Sequence, residues 1–121
     1  MIELESKIVY DNETLLIYTG IDVGNVYSKN PLGRTTEDGE YNAIKFRDMY
    51  LVPLLVSQIY IIVDFESCNG IASNWLEECF GGLVRMGFNK EYLKNHIKFV
   101  DESIELECLG YIEGVMNDNE R

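Results

Sequence analysis

Ile59-Tyr60-Ile61-Ile62-Val63-Asp64 and, shortly after it, Trp75-Leu76-Glu77-Glu78-Cys79-Phe80-Gly81-Gly82-Leu83-Val84 decide the fold. The first is a continuous apolar, mostly β-branched run that stops at a carboxylate, the pattern of a strand buried on both faces. In the second, Trp75, Cys79 and Leu83 recur four residues apart, with Leu76, Phe80 and Val84 beside them. That spacing lays a broad apolar stripe along one helix. Ser73 or Asn74 can accept from the orphan amides at its start, and Asn74 with Glu77 has the spacing of a capping box. Gly87 is placed to stop it. Gly81-Gly82 inside a helix costs about 1 kcal/mol each against alanine, tolerable where the helix must approach another backbone closely. The helix is expected to span Trp75 to Met86.

Working outward, Ala43, Phe46, Tyr50 and Leu54 recur at three- and four-residue spacing, with Met49 and Leu51 widening the stripe. A second helix is expected there, kinked or ended by Pro53. Before it, Gly20 to Tyr41 is rich in Gly, Asn, Ser, Thr, Pro and Asp and reads as a long loop. Loops above about 12–15 residues in a compact domain are often functional. The opening segment places Ile8-Val9-Tyr10 and Leu15-Leu16-Ile17-Tyr18 on either side of Asp11-Asn12-Glu13, the pattern of an antiparallel hairpin. Downstream, a short helical turn near Lys90 to Asn95 precedes a strand at Ile97-Lys98-Phe99-Val100. A last helix follows, capped by Asp101 or Ser103 and lined by Ile104, Cys108, Tyr111 or Ile112, and Val115. A hairpin followed by alternating strands and helices gives an α/β protein with a mixed sheet covered by helices. Residues 1–116 read as a single domain and residues 117–121 as a polar tail.

The 121 residues carry a net charge of −11, and the ten Lys and Arg are scattered. Without a basic stripe such a chain repels nucleic acid, so no nucleic-acid partner is expected. The longest apolar runs fall far short of the roughly 20 residues that a membrane span needs. Met1-Ile2-Glu3-Leu4-Glu5 has no signal-peptide pattern. Cys68, Cys79 and Cys108 are far apart and odd in number, which reads as reduced thiols and a cytoplasmic setting.

Two stretches carry a family resemblance. One is Asn30-Pro31-Leu32-Gly33-Arg34-Thr35-Thr36-Glu37-Asp38-Gly39-Glu40-Tyr41, continuing through Phe46-Arg47 to Leu55. The other is Ile62-Val63-Asp64-Phe65 with Ala72-Ser73-Asn74-Trp75 through Arg85. Together they resemble the bacterial STAS-like domain family of unknown function over about Asn30 to Val100. The resemblance implies a small mixed sheet with helices packed mainly on one face. Related anti-anti-sigma STAS domains bind a serine kinase of the histidine-kinase-like ATPase fold and are released when a helix-start serine is phosphorylated. The matching serine is Ser73. Ala72 stands where better-known STAS domains carry an acidic residue, and Asn42-Ala43-Ile44 replaces a Ser-Gly-Glu.

Each candidate residue has a structural and a functional reading. Ser73 is either a helix cap or a phosphoacceptor favoured by the helix dipole. Asp64 is either a turn carboxylate bonded to amides such as those of Asn69 or Gly70, or a group at the strand ends where ligands gather. Gly33-Arg34 and Asp38-Gly39 form an exposed turn-rich loop; Arg34 either pairs with Asp38 or grips a carboxylate or phosphate. Arg47 snorkels or pairs with Asp48 or Glu40. Asn74 and Glu77 belong to the helix start. Glu77 and Glu78, as successive helix residues, point different ways at a solvated edge. His96 is the only histidine, so no metal site, cofactor or catalytic residue is expected. The expected function is a non-enzymatic regulatory or protein-interaction module for an ATPase or kinase-like protein, with no membrane partner. The alternative is a nucleotide or anion sensor built on the Gly33-Arg34 loop and the Ser73 helix start.

Overall fold

A computed structural model describes the main chain of residues 6–11 and all of residues 16–115. Four strands, β1 (Ser6–Asp11), β2 (Leu16–Asp22), β3 (Ile61–Asp64) and β4 (Ile97–Phe99), lie side by side in chain order. β2, β3 and β4 are parallel, with Ile21 opposite Val63 and Val63 opposite Phe99. β1 runs antiparallel along β2, Ser6 opposite Ile21 and Asp11 opposite Leu16. The hairpin turn expected at Asn12-Glu13 and the tail at 117–121 lie outside the described residues. β3 is flanked on both sides, as expected of the central strand.

Burial along β3 alternates. Ile61 and Val63 are buried while Ile62 and Asp64 are half-buried, and β4 repeats this with Ile97, Lys98 and Phe99. The uninterrupted apolar run therefore does not mark a strand sealed on both faces. Ile62 packs less tightly than its neighbours, and period-two alternation is the better description.

Between the strands come α1 (Val23–Val26), α2 (43–56), α3 (73–85) and α4 (Lys90–His96), and α5 (Glu102–Gly114) follows β4. α2 and α3 share a feature that periodicity does not reveal. Each runs as α-helix, widens into a π-turn, over Arg47–Leu51 in α2 and Glu77–Gly81 in α3, and resumes. The register step is visible in the Val52 N–H bonding the Arg47 carbonyl and the Gly82 N–H bonding the Glu77 carbonyl. In α2 the inserted residue moves the buried face on by one, so Leu55 is buried in place of Leu54. Pro53 does not end α2, because the widened turn just before it accommodates a residue without an N–H. Helix ends are set locally. Asn42 accepts from the Lys45 N–H at 2.9 Å, Asn89 from Tyr92 at 3.0 Å, and Asp101 from Ser103 and Ile104 at 2.8 and 3.1 Å. α3 closes in a Schellman arrangement: Gly87, at φ +113°, donates to Val84 and Phe88 to Leu83.

One core joins these layers. Trp75, Leu76, Cys79, Phe80, Leu83 and Val84 of α3 pack with Phe46, Leu51 and Leu55 of α2 and with Ile61, Val63 and Phe99 of the sheet. Among the described residues no helix is long and apolar enough to cross a membrane. Leu83 is completely buried, so Leu83→Ala should lose about 2–5 kcal/mol through the cavity it leaves. Urea unfolding checks this, and a variant with the parent's midpoint would place Leu83 outside the core.

Candidate functional site

The long loop, the amino end of α3 and the outer face of α5 come together beside the carboxyl ends of β2 and β3. Asp22 and Asp64, paired in register there, are held by turns. Asp64 accepts from the Glu66 N–H at 2.8 Å, so its partner is the immediate turn and not Asn69 or Gly70. The Asn69 N–H bonds the Lys29 carbonyl at 2.7 Å, tying the β3–α3 connection to the long loop. Asp22 accepts from Asn25 at 2.6 Å and from the Ser67 hydroxyl. Burial pushes the neighbouring Cys68 thiol up to about 11, with Asp22 adding to the shift, so a thiolate is disfavoured.

Ser73 does not cap α3. Ala72 occupies the cap position in extended geometry and offers no side-chain bond, which leaves Ser73 as the first helical residue. Ser73, Ala72 and Asn74 are all exposed. The Ser73 side chain lies beside Glu107 and Tyr111 of α5, near enough to bear on the ionisation of both. Tyr111 donates to Glu107 at 2.5 Å, and this bond, with Ser73 beside it, holds the Glu107 carboxyl below its ordinary range. The glutamate–tyrosine pair of α5 thus lies next to the start of α3. The expected capping box is absent too, because Glu77 is engaged elsewhere.

Glu77 and Glu78 point the same way, into three guanidinium groups. Arg34 Nη1 lies 2.5 Å from Glu77 and 3.5 Å from Glu78. Arg85 donates to Glu77 at 2.7 Å and to Glu78 at 3.1 Å, and Arg47 reaches Glu78 at 3.7 Å and Asp48 at 2.9 Å. The expectation of two glutamates splayed along a solvated edge is thereby corrected: the π-turn begins at Glu77, and its changed register lets successive side chains share one cluster. The glycines that follow make room for it. A β carbon on Gly82 would sit 2.6 Å from Arg47 Nη1, and one on Gly81 2.5 Å from Glu77 Oε2. What these glycines admit is charged side chains, not a neighbouring backbone.

Arg34 therefore pairs with Glu77 and not with Asp38. The Asp38 carboxylate accepts instead from the main-chain amides of Arg34 at 3.0 Å and Thr35 at 3.1 Å. Gly33, at φ +82°, is required there, since a side chain would be strained and its β carbon would collide with Asp38. Gly39 closes the loop by donating to the Thr36 carbonyl at 3.3 Å and accepting from Asn42 Nδ2 at 2.9 Å. Sequence reasoning missed Arg85, Glu78, Glu107, Tyr111 and the buried cap Asn42. The Arg85 partnership spans two turns of helix and a change of register, which spacing rules do not reach. Asn42, directly before an apolar helical stripe, was a readable signal.

His96 lies at the opposite, amino end of β4. Its ring stacks on Tyr60 and Tyr92 at 4.4 and 3.9 Å, and Nδ1–H donates to the Tyr92 carbonyl at 2.9 Å. Among the described residues no three His, Cys, Asp or Glu side chains converge as a metal site.

The Arg85 hydrogen bond, reinforced by Arg34, holds the Glu77 carboxyl below its ordinary range. A carboxyl depressed by folding contributes stability above its unfolded pKa of about 4.3 and loses that contribution as pH falls through the lower folded value. Urea midpoints should therefore drop as pH is lowered from about 5. Glu77→Gln should be less stable by about 1 kcal/mol near neutrality and should show a shallower acid limb. Parallel curves for parent and variant would mean that the pairs leave Glu77 ionisation unchanged.

A comparison with protein families matches residues 42–105, more than half of the chain, to the STAS-like domain of unknown function (DUF4325). That span covers α2, β3, α3, α4 and β4 with Arg47, Asp64, Ser73, Asn74 and Glu77; the Gly33-to-Gly39 loop precedes it. No curated protein and no solved structure matches. On the strength of the matched span, the chain belongs to the family of STAS-like domains of unknown function.

Proposed function

We propose that this STAS-like domain is a non-enzymatic regulatory module that binds a protein partner through the exposed start of α3, with Ser73 as its switch. The observation that carries this reading is the Ser73 hydroxyl: solvent-exposed, released from any capping duty, and placed beside Glu107 of α5. A phosphoryl group there would bring close to two negative charges against an ionised carboxylate. Repulsion from Glu107 would shift the group, and the helix start would present a different surface. A partner that both binds and phosphorylates this serine would be an ATP-dependent kinase of the histidine-kinase-like ATPase fold.

The polar groups around the site support recognition more than reaction. Asp22 and Asp64 are engaged in turns, and His96 lies at the far end of the sheet. The anion-sensor reading has less support, because the guanidinium that would grip a phosphate is already held by Glu77 and Glu78. Three free cysteines suit a reducing compartment, which is where we place the protein. We also infer that β1 and β2 form a true hairpin and that the helices cover mainly one sheet face. The order moves the same way from β2 to β3 to β4, so crossovers of the usual right-handed sense would put α2 and α3 on one side, and the burial alternation along β3 and β4 is consistent with that.

Affinity capture with parent, Ser73→Ala and Ser73→Glu baits tests the proposal. Ser73→Ala changes an exposed side chain, should alter stability by no more than about 0.5 kcal/mol, and should retain the partner. Ser73→Glu should stay folded, since a carboxylate is tolerated at a helix start, yet capture at least tenfold less of a histidine-kinase-like ATPase. A mismatched interfacial charge costs roughly 2–5 kcal/mol. Equal capture by parent and Ser73→Glu would move the interface away from α3.

A further inference from the structure

We infer that the loop from Leu32 to Tyr41 is a preformed docking edge for a basic protein surface with an apolar recess. The inference rests on the protein-binding reading above but on different side chains. The loop is closed at its base, where the Leu32 N–H donates to the Tyr41 carbonyl at 3.1 Å. Inside it the Asp38 carboxylate gathers the amides of Arg34 and Thr35, and the Asp38 N–H bonds the Thr35 carbonyl at 2.9 Å. Beneath it, Ala43 and Ile44 donate to the carbonyls of Gly33 and Arg34 at 3.0 and 3.1 Å, and the Trp75 indole donates to Tyr41 at 3.1 Å. Compact surface loops with joined ends are frequently functional.

A loop so firmly tied has the means to bury its apolar side chains, and Pro31 is indeed buried. Leu32 and Tyr41 are not: they are 62% and 41% exposed, side by side across the closing hydrogen bond. Glu37, Asp38 and Glu40, all exposed, lie between them along the same loop. The amides of Thr35 and Arg34 keep the Asp38 carboxyl below its usual range, so the rim stays charged. Of the nearby cations, Arg34 is paired with Glu77, and Lys45 lies over the Tyr41 ring at 5.9 Å. An apolar anchor inside an acidic rim, on a chain of net charge −11, is complementary to a basic surface with a recess for leucine and tyrosine. Nucleic acid fails on charge. A second copy fails as well, because a two-fold contact would set one acidic rim against another. Because the loop is already ordered, binding spares much of the usual ordering entropy.

The test is an NMR titration of the 15N-labelled protein with an amphipathic Leu/Lys peptide and with its Leu/Glu counterpart. Parent, Leu32→Ser, Glu37→Lys/Glu40→Lys and Ser73→Glu are compared; the loop substitutions are at exposed positions, and each variant's spectrum reports its fold. Shifts from the basic peptide should be confined to residues 31–41 and 72–75, weaken with salt, and need at least tenfold more peptide in either loop variant. The acidic peptide should cause none. Shifts scattered over the surface, or unchanged affinity in both loop variants, would overturn the inference. Loss in Ser73→Glu with the loop variants unaffected would also overturn it while leaving the α3 reading standing; the reverse pattern would keep the docking edge and remove that reading. Shifts that appear on concentrating the protein alone would identify a second copy as the occupant and defeat the proposal.

Discussion

Trp75 offers a fully buried indole whose N–H must find an acceptor, and it finds the Tyr41 carbonyl at 3.1 Å. The same carbonyl accepts from Leu32, so its two lone pairs close the long loop and anchor it to α3 together. Phe46 from α2 and Phe65 from the end of β3 pack against the indole at 5.2 and 5.9 Å. Loop, sheet and both long helices therefore take their relative positions from one residue. Tyr27 extends the arrangement, contacting Tyr41, Phe46 and Tyr50 and donating its hydroxyl to the Asn42 carbonyl at 2.8 Å.

Above this aromatic layer lies the charged one. Arg34, Arg47 and Arg85 meet Glu77, Glu78 and Asp48 at the point where α2, α3 and the loop converge. The more exposed pairs, Arg34 and Arg85 with Glu77, are each worth roughly 0–1 kcal/mol, while Arg47 and Glu78 are mostly buried; the cluster fixes position as well as adding stability. Both π-turns lie at this junction, one starting at Arg47 and the other at Glu77. π-turns are rare and occur mostly where function or packing demands a change of register. Here each resets the angle at which a charged side chain leaves its helix. Gly81 and Gly82 then become intelligible: their missing side chains are the space the ionic cluster occupies.

Much of the fold was legible because it rests on local patterns. The strand within the apolar run Ile59 to Val63, which begins only at Ile61, the stripe of α3 with its Gly87 stop, the Asp101 cap and the lining of α5 all follow from spacing and capping chemistry. The site was less legible because it rests on register and long-range pairing. A single inserted residue in each π-turn shifted Leu55 inward and turned Glu77 and Glu78 together, and no periodicity rule anticipates an insertion. Ser73 carried the right spacing for a cap, but extended geometry at Ala72 moved the cap position one residue earlier. Arg34 and Asp38 are four residues apart and of opposite charge, an obvious pair. Yet Asp38 is better satisfied by two amides within its own turn, and Arg34 by carboxylates forty residues away.

This division of labour gives many of the carboxylates a structural part. Asp22, Asp38, Asp64 and Asp101 accept hydrogen bonds within turns, loop or cap, and Glu77 and Glu78 neutralise arginines. The thiols of Cys68, Cys79 and Cys108 are all pushed up by burial, away from the thiolate form that would make them nucleophiles. Buried and half-buried polar groups are committed to shape, holding a loop and a helix start in fixed relation. What faces solvent over that scaffold is a serine, two apolar side chains and an acidic rim. Such groups offer shape and charge. The fixed scaffold also sets the Ser73 side chain beside Glu107, so the start of α3 and the side of α5 meet at one exposed place.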